Sequence, residues 1–177
     1  MFPISFLRPG TLMDGLCKNE RFAEAIELYD LLEKNGLKPD IVVYNIIING
    51  LCKTGQLFEA KELLYSLSTK DLQPDTRTYN VMINGYCKEG MLHNAEALFH
   101  VMVEKSLVPD DFTFNILAQG FLVQGSDADK AMHFVNTMIE KGFSPNAETM
   151  SKLLNLQVPG GLNQERINML LNFVHKA

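Results

Sequence analysis

VYNIIINGLCKTG, residues 43–55, returns as TYNVMINGYCKEG at residues 78–90 and as TFNILAQGFLVQG at residues 113–125. The step is 35 residues each time. Laying residues 41–75 over 76–110 without gaps gives fifteen identities in thirty-five positions, among them Tyr44/Tyr79, Asn45/Asn80, Gly50/Gly85, Cys52/Cys87, Ala60/Ala95 and Pro74/Pro109. A fixed period of this length marks stacked supersecondary units. The chain therefore divides into a partial first repeat at residues 1–40, full repeats at 41–75 and 76–110, and a third at 111–146. The third carries one additional residue, expected in the SDAD stretch near Asp127. Residues 147–177 hold a partial repeat helix, a VPGG break and an amphipathic capping segment from Asn163 to Lys176.

Each copy reads as two antiparallel helices. Pro74 stops the preceding helix and Asp75 suits the cap of the next, accepting from its free first-turn amides. Tyr44, Ile47, Ile48, Leu51 and Cys52 follow the i, i+3, i+4, i+7, i+8 rule and predict the buried face of a first helix. Gly55 supports the turn. Leu57, Ala60, Leu63, Leu64 and Leu67 repeat the pattern on a second helix, and truncating Leu63 is expected to unfold the array. One such hairpin cannot cover its own apolar faces, so the copies must stack into an all-α solenoid.

Asn is a poor choice for a helix interior, yet Asn45, Asn80 and Asn115 each follow an aromatic inside an apolar run. At about 100° per residue, Val42, Asn45, Asn49 and Lys53 fall on one stripe, which the helical wheel places opposite the core. Arg77, Asn80, Asn84 and Lys88 form the next stripe; Phe112, Asn115 and Gln119 form the third. Stacking sets these stripes side by side as an amide ladder. A solvated face is the plain alternative, but Glu, Lys or Gln would serve it better. An amide carries both donor and acceptor and suits the Watson–Crick edge of a base. The caps Asp40, Asp75 and Asp110 begin successive first helices, where a carboxylate could accept from an Asn amide and fix its direction.

The 177 residues are 46% hydrophobic and 21% charged, a globular composition with no run long enough to cross a bilayer. A net charge of −5 argues against duplex nucleic acid, though not against a single-strand binder that relies on base contacts. Cys17, Cys52 and Cys87 recur at one repeat position, and first helices about 8–10 Å apart are too distant for a disulfide. They read as small core residues. His93, His100, His133 and His175 follow no metal spacing, and Glu59, Glu62, Glu89, Glu96, Glu104 and Glu140 read as a solvated convex face. No phosphate loop, nucleophile elbow or paired catalytic carboxylates occur, so an enzyme is disfavoured, and neither metal nor cofactor is expected.

Tyr-Asn opening the first helix, NGLCKTG and NGYCKEG, Ala60 and Ala95 in the second helix and the terminal Pro-Asp resemble the P-type pentatricopeptide repeat proteins. The INGLCKxG wording is similar to their plant restorer-of-fertility-like branch, and the worn first copy points to a short or truncated member. The resemblance implies a right-handed superhelical solenoid that binds single-stranded RNA, one repeat to one base. Carried over residue by residue, Asn45 with Asp75 and Asn80 with Asp110 favour uracil, whereas Asn115 with Asn146 implies cytosine with uracil tolerated. Val42, Arg77 and Phe112 would sandwich bases, and Lys18, Lys53 and Lys88 would meet phosphates. Gly10 with Asp40 implies no definite base, Arg77 departs from the usual apolar sandwich residue, and Val123 replaces the third Lys. The resemblance further implies partners among RNA-processing proteins and a mitochondrial setting, with the chloroplast as the other organelle, although MFPISFLRPG makes no clear transit peptide. The rival reading is a peptide-binding helical scaffold, as in tetratricopeptide arrays, whose period is 34 and whose pattern includes a Trp that this chain lacks.

Overall fold

The computed structural model describes residues 9–123 and 127–155. The expected capping segment Asn163–Lys176 and the VPGG break lie outside these residues, as do Met1–Arg8. Among the described residues the regular structure is helical throughout: α1 Pro9–Lys18, α2 Phe22–Lys34, α3 Ile41–Lys53, α4 Leu57–Ser66 with a 3-10 turn at Leu67–Lys70, α5 Thr76–Lys88, α6 Leu92–Glu104, α7 Asp111–Val123, α8 Ala128–Glu140 and α9 Ala147–Leu154. The chain forms two compact units, residues 1–108 and 109–177.

First helices start at 41, 76 and 111 and end at 53, 88 and 123, all in step. Second helices start at 57, 92 and 128, the last one residue further from the start of its first helix than the other two. The starts follow from the caps. Asp40 accepts from the Val43 amide at 3.0 Å. Asp75 accepts from the Thr78 amide at 2.8 Å, while Thr78 Oγ1 accepts from the Asp75 amide at 3.1 Å, satisfying two orphan donors reciprocally. Gly55 and Gly90 end the first helices at φ +76° and +71°, where a Cβ is strained.

In the first unit α3 lies against α1, α2, α4 and α5. It is consequently buried without a gap from Val43 to Ile48, flanks as well as face. The second unit repeats this, with α7 packed on α8 and α9 and buried from Thr113 to Ala118. Tyr44, Ile47, Ile48, Leu51 and Cys52 are all in the core, as the periodicity predicts. Cys17, Cys52 and Cys87 are free, buried thiols, and burial pushes the pKa of Cys52 and Cys87 up to about 12.

The second helix is read less well from the pattern. Leu63 is only half-buried, whereas Leu64 is 2% exposed and Ala60 and Leu67 are sealed. The residue whose truncation costs most is therefore Leu64. Leu64→Ala is expected to lose about 2–5 kcal/mol through transfer and cavity terms, and Leu63→Ala distinctly less; urea midpoints of the two variants measure the difference.

Candidate nucleic-acid interface

The geometry corrects where the ladder lies. Asn45, Asn80 and Asn115 are 4%, 3% and 3% exposed, buried instead of facing solvent. For Asn45 a wheel with one core face fails because α3 is covered on its flanks by the first helices α1 and α5, and α7, which carries Asn115, packs against α9. The rest of the first stripe behaves as expected: Val42 is 47% exposed, Asn49 is half-buried and Lys53 is exposed.

A groove of about 1030 Å³ runs along this side of the first unit, lined by Gly10, Thr11, Asp14 and Lys18 of α1, Lys38 and Asp40 of the loop before α3, Val42, Val43 and Ile46 of α3, and Arg77 of α5. It brings together a phosphate candidate, Lys18, with two base-sandwiching candidates, Val42 and Arg77, and the weak Gly10/Asp40 pair. Gly10 contributes no side chain where α3 and α5 carry Asn. Lys18 is paired with Asp14 at 2.6 Å, and Lys53 Nζ lies 5.0 Å from the Phe22 ring centroid; both are exposed pairs of small worth that a phosphate can displace. Lys88 is exposed at the end of α5, and in the second unit Phe112 is 54% exposed on α7.

Asn45 reaches the cap of the next first helix. Its Nδ2 donates to Asp75 Oδ1 at 3.5 Å, the outer limit of a hydrogen bond, while its Oδ1 is buried without a partner. Oδ1 of Asp75 also accepts from Thr78 Oγ1 at 2.7 Å. Burial alone would raise the Asp75 carboxyl, but the hydrogen bonds from Thr78 and Asn45 outweigh it and hold the group below its ordinary value. Asp75 is thus a carboxylate whose Oδ1 is engaged by the protein. Asn80 is buried in the first unit, and Asp110 in the second accepts from the Thr113 amide and Thr113 Oγ1, both at 2.8 Å.

Asn115 is held differently. Its Oδ1 accepts from the Asn146 amide at 2.9 Å and from Thr149 Oγ1 at 2.6 Å, and its Nδ2 donates to the Asp111 carbonyl at 2.8 Å. Asn146 caps α9 through its Oδ1, which accepts from the Thr149 amide at 2.8 Å. Sequence reasoning brought Asn115 and Asn146 together but missed Thr149 and the role of Gln119 in this cluster. The signal was present: Asp75-x-x-Thr78, Asp110-x-x-Thr113 and Asn146-x-x-Thr149 recur at three first-helix caps, whereas Asp40 is followed by Val43. Among the described residues no group of three or more His, Cys, Asp and Glu side chains could hold a metal ion.

The fold has counterparts among solved structures. The crystal structure of the pentatricopeptide repeat protein PPR10 from maize superposes with a TM-score of 0.70 at 24% identity, covering 96% of this chain and 24% of that protein. PPR10 in complex with an 18-nt psaJ RNA element gives 0.72 at 24% identity over 88% of this chain and 23% of that one. The PPR domain of Arabidopsis thaliana protein-only RNase P 1, in complex with tRNA, gives 0.76 at 20% identity, covering 95% of this chain and 90% of that domain. The chain thus spans about a quarter of the maize protein, and these likenesses establish the fold. Comparison with curated proteins gives no match. The PPR repeat family matches three overlapping stretches, residues 10–53, 39–88 and 74–123, together most of the described chain. With its period, its helix hairpins and its capped first helices, the chain belongs to the PPR repeat family.

Proposed function

We propose that the chain binds single-stranded RNA, one repeat to one base, through recognition units at residues 41–75, 76–110 and 111–146. Asn45 with Asp75 and Asn80 with Asp110 select uracil; Asn115 with Asn146 selects cytosine and tolerates uracil. Val42, Arg77 and Phe112 pack on base faces, and Lys18, Lys53 and Lys88 meet phosphates. The chain carries no chemistry of its own and acts by occupying a transcript in an organelle, the mitochondrion by family resemblance, where it influences RNA processing, stability or translation. RNA in the complexes of PPR10 and of the RNase P 1 PPR domain supports this reading.

The observation that carries it is the Asn45 carbonyl, buried and unpartnered beside the Asp75 cap. An unmade hydrogen bond of this kind costs about 1–3 kcal/mol. A base that supplies an N–H, such as uracil N3–H, removes that cost on binding.

Binding of short oligo-U, oligo-C and oligo-A to the full chain tests it. Asn45→Ala with Asn80→Ala is expected to weaken oligo-U binding at least about tenfold, since 1.4 kcal/mol is a factor of ten, with helicity unchanged by circular dichroism. With three candidate phosphate lysines, log affinity should fall with log salt at a slope no steeper than about −2. Unchanged oligo-U binding by the double variant refutes the assigned roles. Indifference of the unmodified chain to all three oligomers would leave the peptide-binding scaffold as the better account.

A further inference from the structure

Gln119 is one helical turn beyond Asn115 on α7 and enters the polar cluster of the second unit. Its Nε2 donates to Asn146 Oδ1 at 3.1 Å and to Thr149 Oγ1 at 2.9 Å. The second contact leaves the Thr149 hydroxyl hydrogen for Asn115 Oδ1 at 2.6 Å. A carboxamide oxygen has two lone pairs. Asn146 Oδ1 spends one on the Thr149 amide at 2.8 Å and the other on Gln119. Asn115 Oδ1 is likewise filled twice, by the Asn146 amide and Thr149. Both acceptor atoms of the pair are therefore occupied by the protein, and Asn146, exposed at the helix start, offers only its Nδ2 hydrogens. A backbone N–H can only donate, so the atom facing the Thr149 amide must be the oxygen; the direction of the Asn146 amide follows from chemistry.

We propose that Gln119 is a positioning residue that sets base choice in the third recognition unit, by filling the second lone pair of Asn146 and leaving that residue a donor only. The proposal rests on the base-reading function above and deepens it. A donor-only partner matches a base with an acceptor in the middle of its pairing edge, N3 of cytosine, and opposes uracil, which presents N3–H there. Removing the Gln119 contact frees a lone pair on Asn146 Oδ1 that can take that N3–H. The first full copy shows the contrast. Asn49 occupies the equivalent position, is one methylene shorter and makes no side-chain hydrogen bond among the described residues, and the selecting cap there is the acceptor Asp75.

The test compares affinities of the full chain for synthetic RNAs with two uracils followed by C, U, A or G. The unmodified chain should prefer C over U at the third position by about tenfold, the discrimination of one well-placed donor–acceptor match. Gln119→Ala should bring that ratio close to one, and Gln119→Glu, which adds an acceptor, should place U ahead of C. Discrimination at the first two positions should not change in either variant, a pattern that general loosening of the fold would not produce. Gln119→Asn, polar but too short to reach, serves if the Ala variant fails to fold, and thermal melting shows which variants are intact. Folded variants that keep the wild-type C:U ratio overturn the positioning role while leaving the base-reading function standing. A wild-type chain that binds none of these RNAs, or prefers U to C at the third position, overturns the proposal at its root, the first result taking the base-reading function with it.

Discussion

Gly85→Ala should be among the most damaging single substitutions in the first unit, although Ala is the better helix former. A Cβ at Gly85 would stand 2.7 Å from Cys52 Sγ, 2.9 Å from Cys52 Cβ and 3.1 Å from Leu57 Cδ2. Cys52 Cβ is fixed to the backbone of α3, so relief requires α3 and α5 to separate, not a side chain to swing away. Overpacking of this kind costs about 1–3 kcal/mol and occasionally more, against a helix-propensity gain of about 1 kcal/mol; with two contacts below 3.0 Å the packing loss wins. The chain supplies its own control. Gly15 holds the same repeat position on α1, and a Cβ there meets nothing within 4 Å, so Gly15→Ala should stabilise by up to about 1 kcal/mol. Gly50, where the nearest atom is Phe22 Cδ1 at 3.5 Å, should fall between them. Urea midpoints of the three variants measure this series; equal shifts, or a harmless Gly85→Ala, would contradict the close approach of α3 and α5.

Asn115→Leu should destabilise the second unit by several kcal/mol, whereas Asn45→Leu should be close to neutral or mildly stabilising. The residues are equivalent in sequence and almost equally buried. Losing Asn115 strands the Asn146 amide and the Thr149 hydroxyl, both of which donate to its Oδ1, and each stranded group costs about 1–3 kcal/mol. Losing Asn45 removes one contact of 3.5 Å together with an oxygen that has no partner. Replacing an unsatisfied buried amide with a hydrocarbon of similar size is near break-even. Thermal melting of the two variants separates the cases, and equal losses would show that the amides serve the fold alike. The expected inequality means that Asn45 adds little to stability, in keeping with the base-reading role proposed for it.

Much of this was legible in the letters. Asp40, Asp75 and Asp110 announced helix starts that the structure places one residue later, because a cap needs an oxygen at that position and Pro nearby has already ended the previous helix. The burial of Asn45 was not legible. A helical wheel assumes one covered face, and only the stacked neighbours reveal that α1 and α5 close the flanks of α3. Leu63 and Leu64 are likewise indistinguishable by periodicity, since both fall within the apolar arc, and only the packing around α4 separates them. Gln119 escaped because its partners Asn146 and Thr149 lie about thirty residues away, beyond what spacing within one helix can show.

The sealed thiols make the chain its own reporter of breathing. Cys17, Cys52 and Cys87 stand one per copy along α1, α3 and α5, and only a thiolate reacts with a disulfide reagent. With Cys52 and Cys87 held far from ionisation by burial, labelling must wait for a copy to open, and the order in which the three sites are modified would show from which end the first unit frays.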